Sequence, residues 1–204
     1  EVIVDSTIEE CLTYEYLSLR RNVNRFYKYD GGVIRNAFKM DGNHSFVVRS
    51  VYDLRIPGFS HREFVWRKIW KKLDENTIHL IYAPVVDLDP GWNFDIAEKT
   101  VRASSWTSVR YERLPDFAGF PQTRVSYMSQ MDLAGYVPAD IINKLLPGRL
   151  MYLDKFRLIF DKSLDIDGAK RLEFVEKIKD YQGVYSGEEV NQIEEGLKSF
   201  DDFD

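Results

Sequence analysis

The sequence predicts an α+β fold: a curved antiparallel sheet of six or seven strands, followed by one amphipathic helix that covers it. Three observations carry the prediction. From His44 onward apolar residues recur with a period of two, as in Phe46, Val48, Tyr52, Leu54 and Ile56 between Arg49, Asp53 and Arg55. The runs follow one another through short turns, which leaves no room for the crossovers of a parallel sheet. After the last run, Gly135-Tyr136-Val137-Pro138 ends the alternation and Ile141, Ile142, Leu145 and Leu146 take up a helical stripe.

In chain order, Val2 to Val4 reads as a short strand, and Asp5 or Ser6 caps a helix from Ile8 to Leu19, with Glu9 and Glu10 at its positive end. Arg20 to Asp30 carries no decisive period. Gly31-Gly32 marks a turn before a strand from Val33 to Met40, and Asp41-Gly42-Asn43 marks another. The run from His44 to Leu73 is interrupted at Pro57-Gly58. Its second half places Phe64, Trp66 and Trp70 on one face together with Lys68 and Lys72, and Val65, Ile69 and Leu73 on the other. A strand apolar on both faces lies between two layers or lines a hollow.

Thr77 to Val86 is the next strand, Asp87 to Thr100 a long connection holding Trp92 and Phe94, and Val101 to Glu112 a further strand. Leu114 to Pro121 reads as a turn before Thr123 to Leu133. The covering helix is expected to kink or break at Pro147-Gly148 and to continue through Leu153, Phe156 and Phe160. Beyond Asp161, helices are expected over Ile166 to Tyr181 and Ser186 to Phe200. From Gly187 onward there are seven acids against one lysine, so residues 163–204 read as a helical appendage and acidic linker to residues 1–162.

Composition narrows the function classes. A net charge of −5 gives no basic face for a polyphosphate, so nucleic acid is not an expected partner. One cysteine, Cys11, closes no disulfide, and His44, His61 and His79 show no zinc spacing, so neither metal nor cofactor is expected and a reducing, cytoplasmic setting fits. No apolar run approaches the ~20 residues of a membrane span. The chain begins at Glu1 rather than methionine, which reads as part of a larger multidomain polypeptide.

Three signatures along this order resemble the START family of lipid-transfer domains. Ser60-His61-Arg62-Glu63-Phe64 is similar to the family's Ser-x-Arg-Asp-aromatic strand start, with Glu63 in place of aspartate. Thr100-Val101-Arg102-Ala103 is similar to the strand start after its long loop. Asp132-Leu133-Ala134-Gly135-Tyr136-Val137-Pro138, then Ile141-Ile142-Asn143, is similar to its Asp-Leu-x-Gly-Trp-x-Pro junction. The resemblance covers Val2 to Phe160. It implies the helix-grip architecture, with the last helix closing a hydrophobic cavity that shields a lipid or similar hydrophobe, as carrier or as sensor. The Pro84 to Lys99 segment would match the family's gating loop.

Counting from the Arg62 motif, the charged cavity positions of related domains correspond to Arg49 and Lys68. Two cations would suit an anionic or phosphate-bearing head group. With Trp66, Trp92, Phe94, Ile142, Leu145 and Leu146 they make the expected ligand-binding set, and no catalytic residue is expected. Trp92 and Phe94 read equally as a lid in transient contact with a membrane surface or as side chains folded back on the domain. Arg62, Arg67, Lys68, Lys71 and Lys72 read as a solvated strand face rather than a membrane patch. A cyclase-like enzyme of the same hollow architecture, with polar residues converging inside, and a structural or membrane-docking module remain the alternatives.

Overall fold

In the structure, a computed structural model that describes residues 1–17, 20–39, 42–86 and 100–201, the chain divides into two compact units, Glu1–Lys162 and Ser163–Asp204. The first holds β1 (Val2–Val4), α1 (Ile8–Tyr16), α2 (Arg20–Lys28), β2 (Gly32–Lys39), β3 (Ser45–Tyr52), β4 (His61–Asp74), β5 (Thr77–Pro84), β6 (Thr100–Arg102), β7 (Ser104–Phe117), β8 (Phe120–Asp132) and α3 (Ala139–Ile159). The second holds α4 (Ser163–Lys179) and α5 (Gly187–Asp201). α5 starts from a capping box: Ser186 Oγ accepts from the Glu189 amide at 3.3 Å, and the Glu189 carboxylate accepts from the Ser186 amide at 2.8 Å.

The main sheet has the order β1-β8-β7-β5-β4-β3-β2 with every neighbour antiparallel, the arrangement that short turns between alternating runs demand. One pairing departs from expectation. β6 lies parallel to β4 at His61–Glu63, because the long connection after β5 gives the chain length to return before pairing again. The expected turn at Leu114 to Pro121 shrinks to Ala118-Gly119, both at positive φ, so β7 and β8 form a long hairpin whose register slips near Pro115.

Alternation gives the sheet two faces. On the inner one stand Val48, Phe64, Trp66, Leu80, Val109, Tyr111 and Val125, all buried. α1, held at its start by Thr7, whose side chain accepts from the Glu10 amide, presses Ile8, Cys11 and Leu12 onto this face. It stops at Tyr16 rather than Leu19, since Leu17 is already extended. The indecisive stretch after it forms α2, whose Phe26 is buried under β2 so closely that a Cβ at Gly32 would stand 2.3 Å from the ring.

α3 covers the other end of the inner face. Its C-terminal half supplies Phe156, 1% exposed, and Tyr14 of α1 meets Phe156 and Phe160 edge-on with centroids 5.6 Å apart in both pairs. Pro147 does not break α3. Proline forfeits one backbone bond, and here both Pro147 and Gly148 face solvent, where the freed carbonyl is hydrated.

Candidate ligand-binding site

The three signatures meet at the start of β4. Arg62 donates from Nε to the Leu133 carbonyl at 2.7 Å, from Nη1 to Ser60 at 2.5 Å and from Nη2 to Ala134 at 3.5 Å, which ties β4 to the turn leading into α3. That turn is set by Asp132, whose carboxylate accepts from the Ala134 amide at 2.8 Å while Ala134 sits at φ 53°. Glu63, fully buried, is gripped by Arg49 Nε at 2.5 Å and by Arg102 Nη2 at 2.6 Å. The signature residues are therefore a clamp that joins β3, β4, β6 and the β8–α3 junction.

This clamp overturns one expectation. Arg49 pairs in register with Val65, whereas Lys68 pairs with Phe46, so the two cations point to opposite faces of the sheet. A count across a hairpin that errs by one residue reverses every side chain. Arg49 is neutralised on the outer face, and Arg49 and Lys68 do not converge on one head group. Trp66 does stand on the inner face, stacked on Phe64 with its Nε1 donating to Ser105 Oγ at 2.8 Å. Ile142, 38% exposed, lies on the less covered half of α3. Leu145 and Leu146 belong to α3 with side chains outside the described residues, as are Trp92 and Phe94 altogether.

Lys68 is the distinctive group. It is 1% exposed, donates from Nζ to the Glu15 carbonyl at 3.0 Å, and lies over the Tyr82 and Phe46 rings at 4.7 and 5.4 Å. The carbonyl belongs to the last turn of α1, so Lys68 occupies the negative end of that helix. Burial pushes its ammonium down to about 8, the Glu15 charge working against this shift and Arg35 adding to it. The Glu15 carboxylate is engaged elsewhere: one oxygen accepts from Tyr82 and the other from Tyr152. Burial first, and then the neighbouring Glu15 charge, hold both phenols well above their ordinary range, so they remain donors.

Beside this cluster a pocket of about 620 Å³ opens between the C-terminal turns of α1 and the β2–β3 hairpin. Leu12, Tyr16, Leu17, Phe46 and Trp70 give it a mainly apolar wall. Its rim is fastened at Asn43, whose carbonyl accepts from Trp70 Nε1 at 3.0 Å and from the Tyr16 hydroxyl at 3.2 Å. This pocket is walled by the first helix; the side chains of Leu145, Leu146, Trp92 and Phe94, which would bound the expected hollow beneath the last helix, lie outside what is described. Glu15, Arg35, Phe46, Tyr82 and Tyr152 were not picked out from the sequence. Glu15 could have been noticed as the one acid in Tyr14-Glu15-Tyr16, but only the packing of α1 on the sheet brings it to β4 and β5.

Among the described residues no group of histidines, cysteines and carboxylates could hold a metal ion, and no helix is long and apolar enough to cross a membrane. His79 Nε2 and Ser108 Oγ are 2.9 Å apart on the outer face, a cross-strand polar pair turned away from the pocket.

Solved structures of similar fold include the human StarD13 lipid transfer and protein localization domain, 15% identical with a TM-score of 0.59 over 79% of this chain and 75% of that one. Human StAR-related lipid transfer protein 5 is 18% identical, TM-score 0.52, over 84% and 74%. A STAR-related lipid transfer protein from Xanthomonas axonopodis is 14% identical, TM-score 0.55, over 78% and 82%. The fold is thus that of StAR-related lipid transfer domains, as the sequence signatures anticipate. No family model matches the sequence, and no curated protein does.

Proposed function

We propose that residues 1–162 bind one lipid or similar hydrophobic molecule noncovalently, as a carrier or as the sensing part of a longer polypeptide. The observation that carries this reading is the 620 Å³ pocket with its apolar wall, in the size range of small-molecule sites. Removing a hydrocarbon tail from water is worth ~0.8 kcal/mol per CH₂, so such a wall needs little polar machinery to hold a ligand. The solved neighbours, named as lipid transfer proteins, support the same reading. Exposed Trp106 and Tyr136, on β7 and in the turn before α3, supply apolar surface for transient contact with a membrane.

Mass spectrometry of organic extracts from the natively purified chain tests the proposal: one hydrophobic species near unit stoichiometry is expected, and exchange with liposomes should follow. An empty protein that neither takes up lipid from liposomes nor protects it from water would end it.

The buried Glu15, Tyr82, Tyr152 and Lys68 also favour a second reading, a cyclase-like enzyme using those polar groups. Binding ranks first because both Glu15 oxygens already accept from tyrosines and so are committed against proton abstraction. Recovery of the bound molecule chemically unchanged after prolonged incubation separates the two.

A further inference from the structure

We infer that the outer face of the sheet docks on an anionic membrane surface, with exposed apolar side chains of β4, β5, β7 and β8 entering the headgroup layer and Arg67 and Lys71 meeting its charges. This goes beyond the pocket, and it rests on the lipid-binding reading above for what is exchanged there.

The alternation that places Trp66, Leu80, Val109 and Val125 inward turns their neighbours outward, and α1, α2 and α3 all pack on the inner side. Pairing aligns the outward residues in rows across the sheet. In the central row Ser45 stands opposite Ile69, Ile69 opposite Ile81, Ile81 opposite Ser108 and Ser108 opposite Met128. Two residues along on one side, Val47, Arg67 and Ala83 form the next row, and Trp106 pairs with Gln130 beyond them. On the other side the row is Lys71, His79, Arg110 and Ser126. Ile69, Ile81, Trp106 and Met128 are all exposed, Trp106 at 56% and Met128 at 72%. The solvated face of an antiparallel sheet is ordinarily polar at such positions, and a contiguous apolar group there marks an interaction surface.

Charge says what covers it. These three rows hold the cations Arg67, Lys71 and Arg110 and no acid, in a chain whose net charge is −5. The acids around them lie outside the rows: Glu112 bridges to Arg110 at 3.0 Å, Glu1 accepts from Ser126, Glu63 is closed in the clamp, and Asp74 and Glu75 follow Lys71 in the β4–β5 turn. Arg67 and Lys71 are both exposed, and each cation near an anionic leaflet favours the bound state about fivefold. Trp106 has the side chain that settles at the headgroup level of a bilayer. The central row also leads to the proposed site, since Ser45 at its end lines the 620 Å³ pocket. Docking by this face brings the hairpin wall of the pocket towards the bilayer, where a lipid enters or leaves.

The test sediments the full chain with phosphatidylcholine vesicles that do or do not contain phosphatidylserine. Binding should be about tenfold tighter with phosphatidylserine and should weaken as salt is added. Arg67→Gln with Lys71→Gln should bring that preference below about threefold, and Met128→Ser should lower binding to both vesicles by about threefold. Leu158→Ser, at an exposed position of α3, should leave binding unchanged. All these positions are exposed, so the variants should fold as the parent does. Loss of binding in Leu158→Ser but not in the outer-face variants overturns the inference, as does equal binding to the two vesicles or none to either. A dimer in analytical ultracentrifugation that Met128→Ser dissociates also overturns it, by giving the face to a second copy. A chain that fails to dock yet yields bound lipid by mass spectrometry leaves the lipid-binding proposal standing. Docking through Met128 by a chain that neither holds nor takes up lipid overturns that proposal and leaves the docking face standing.

Discussion

Two regions under the same sheet face are built on opposite terms. Around Phe156, the inner face meets α1 and α3 through Val4, Ile8, Leu80, Val109 and Val125, each at most 1% exposed, and aromatic edges fill what remains. Around Lys68, one strand away, the same alternation delivers an ammonium and the Tyr82 hydroxyl, and α1 and α3 bring the Glu15 carboxylate and the Tyr152 hydroxyl to them, beside an open pocket. The first region has the density of an ordinary core, in which each methylene contributes to stability. The second holds a buried cation whose desolvation is offset in part by the Glu15 charge and carbonyl, where an aliphatic side chain would carry no such cost.

The contrast can be broken most forcefully at its apolar pole. Phe156→Ala removes the ring at the centre of the sealed region and should cost about 3–5 kcal/mol in urea unfolding. A loss under about 1 kcal/mol would mean that α3 does not close the core. Next in size is the clamp at the start of β4: Glu63→Gln leaves Arg49 and Arg102 facing a neutral amide, with a loss of about 3 kcal/mol by the same measurement.

Lys68→Met should act in the opposite direction. Its folded value of about 8 lies below the unfolded 10.5, so between these values the unfolded chain holds a proton that the folded chain has released. Stability therefore rises with pH across that window, and the full penalty applies below it. The variant should gain at most about 3 kcal/mol at pH 7, with the advantage vanishing by about pH 10.5. Thermal melts across pH 7 to 10.5 read this directly, and a variant less stable than the parent at pH 7 would make Lys68 a structural cap of α1 and nothing more.

Smaller still is Ile142→Ser on the exposed half of α3, expected within about 0.5 kcal/mol of the parent. Cys11 should show no reaction at all: burial pushes its thiol up to about 12, so a disulfide reagent should label it only on unfolding. Rapid labelling of the native chain would show that the sealed region opens as readily as the pocket.

Much of the fold was legible because it depends on local periodicity and on turn chemistry. Gly31-Gly32, Gly42-Asn43 and Gly135 to Pro138 fall at the observed boundaries, Asp41 lying outside the described residues. α2 was not legible, since its sequence has one inward aromatic, Phe26, and that ring finds its place only against β2. Trp66 and Lys68 share the inner face as the alternation reads, but Lys68 and Arg62 are buried rather than on a solvated strand face. Arg49 lies on the opposite face, because the parity of a residue across a hairpin depends on register rather than on count. Glu15 and Tyr82 are 67 residues apart and meet by a hydrogen bond that no local pattern encodes.

The sequence by itself determined that this chain makes an antiparallel meander closed by a helix, since a period of two, short turns and a switch to a helical stripe are properties of neighbouring residues. The order of Arg62, Glu63, Arg102 and Asp132 along the chain carried the resemblance to START domains. Only the tertiary structure decided that these residues form a clamp and that Lys68 faces inward without Arg49. Those are questions of register and of packing between distant segments, settled when the sheet pairs and its inner face is covered.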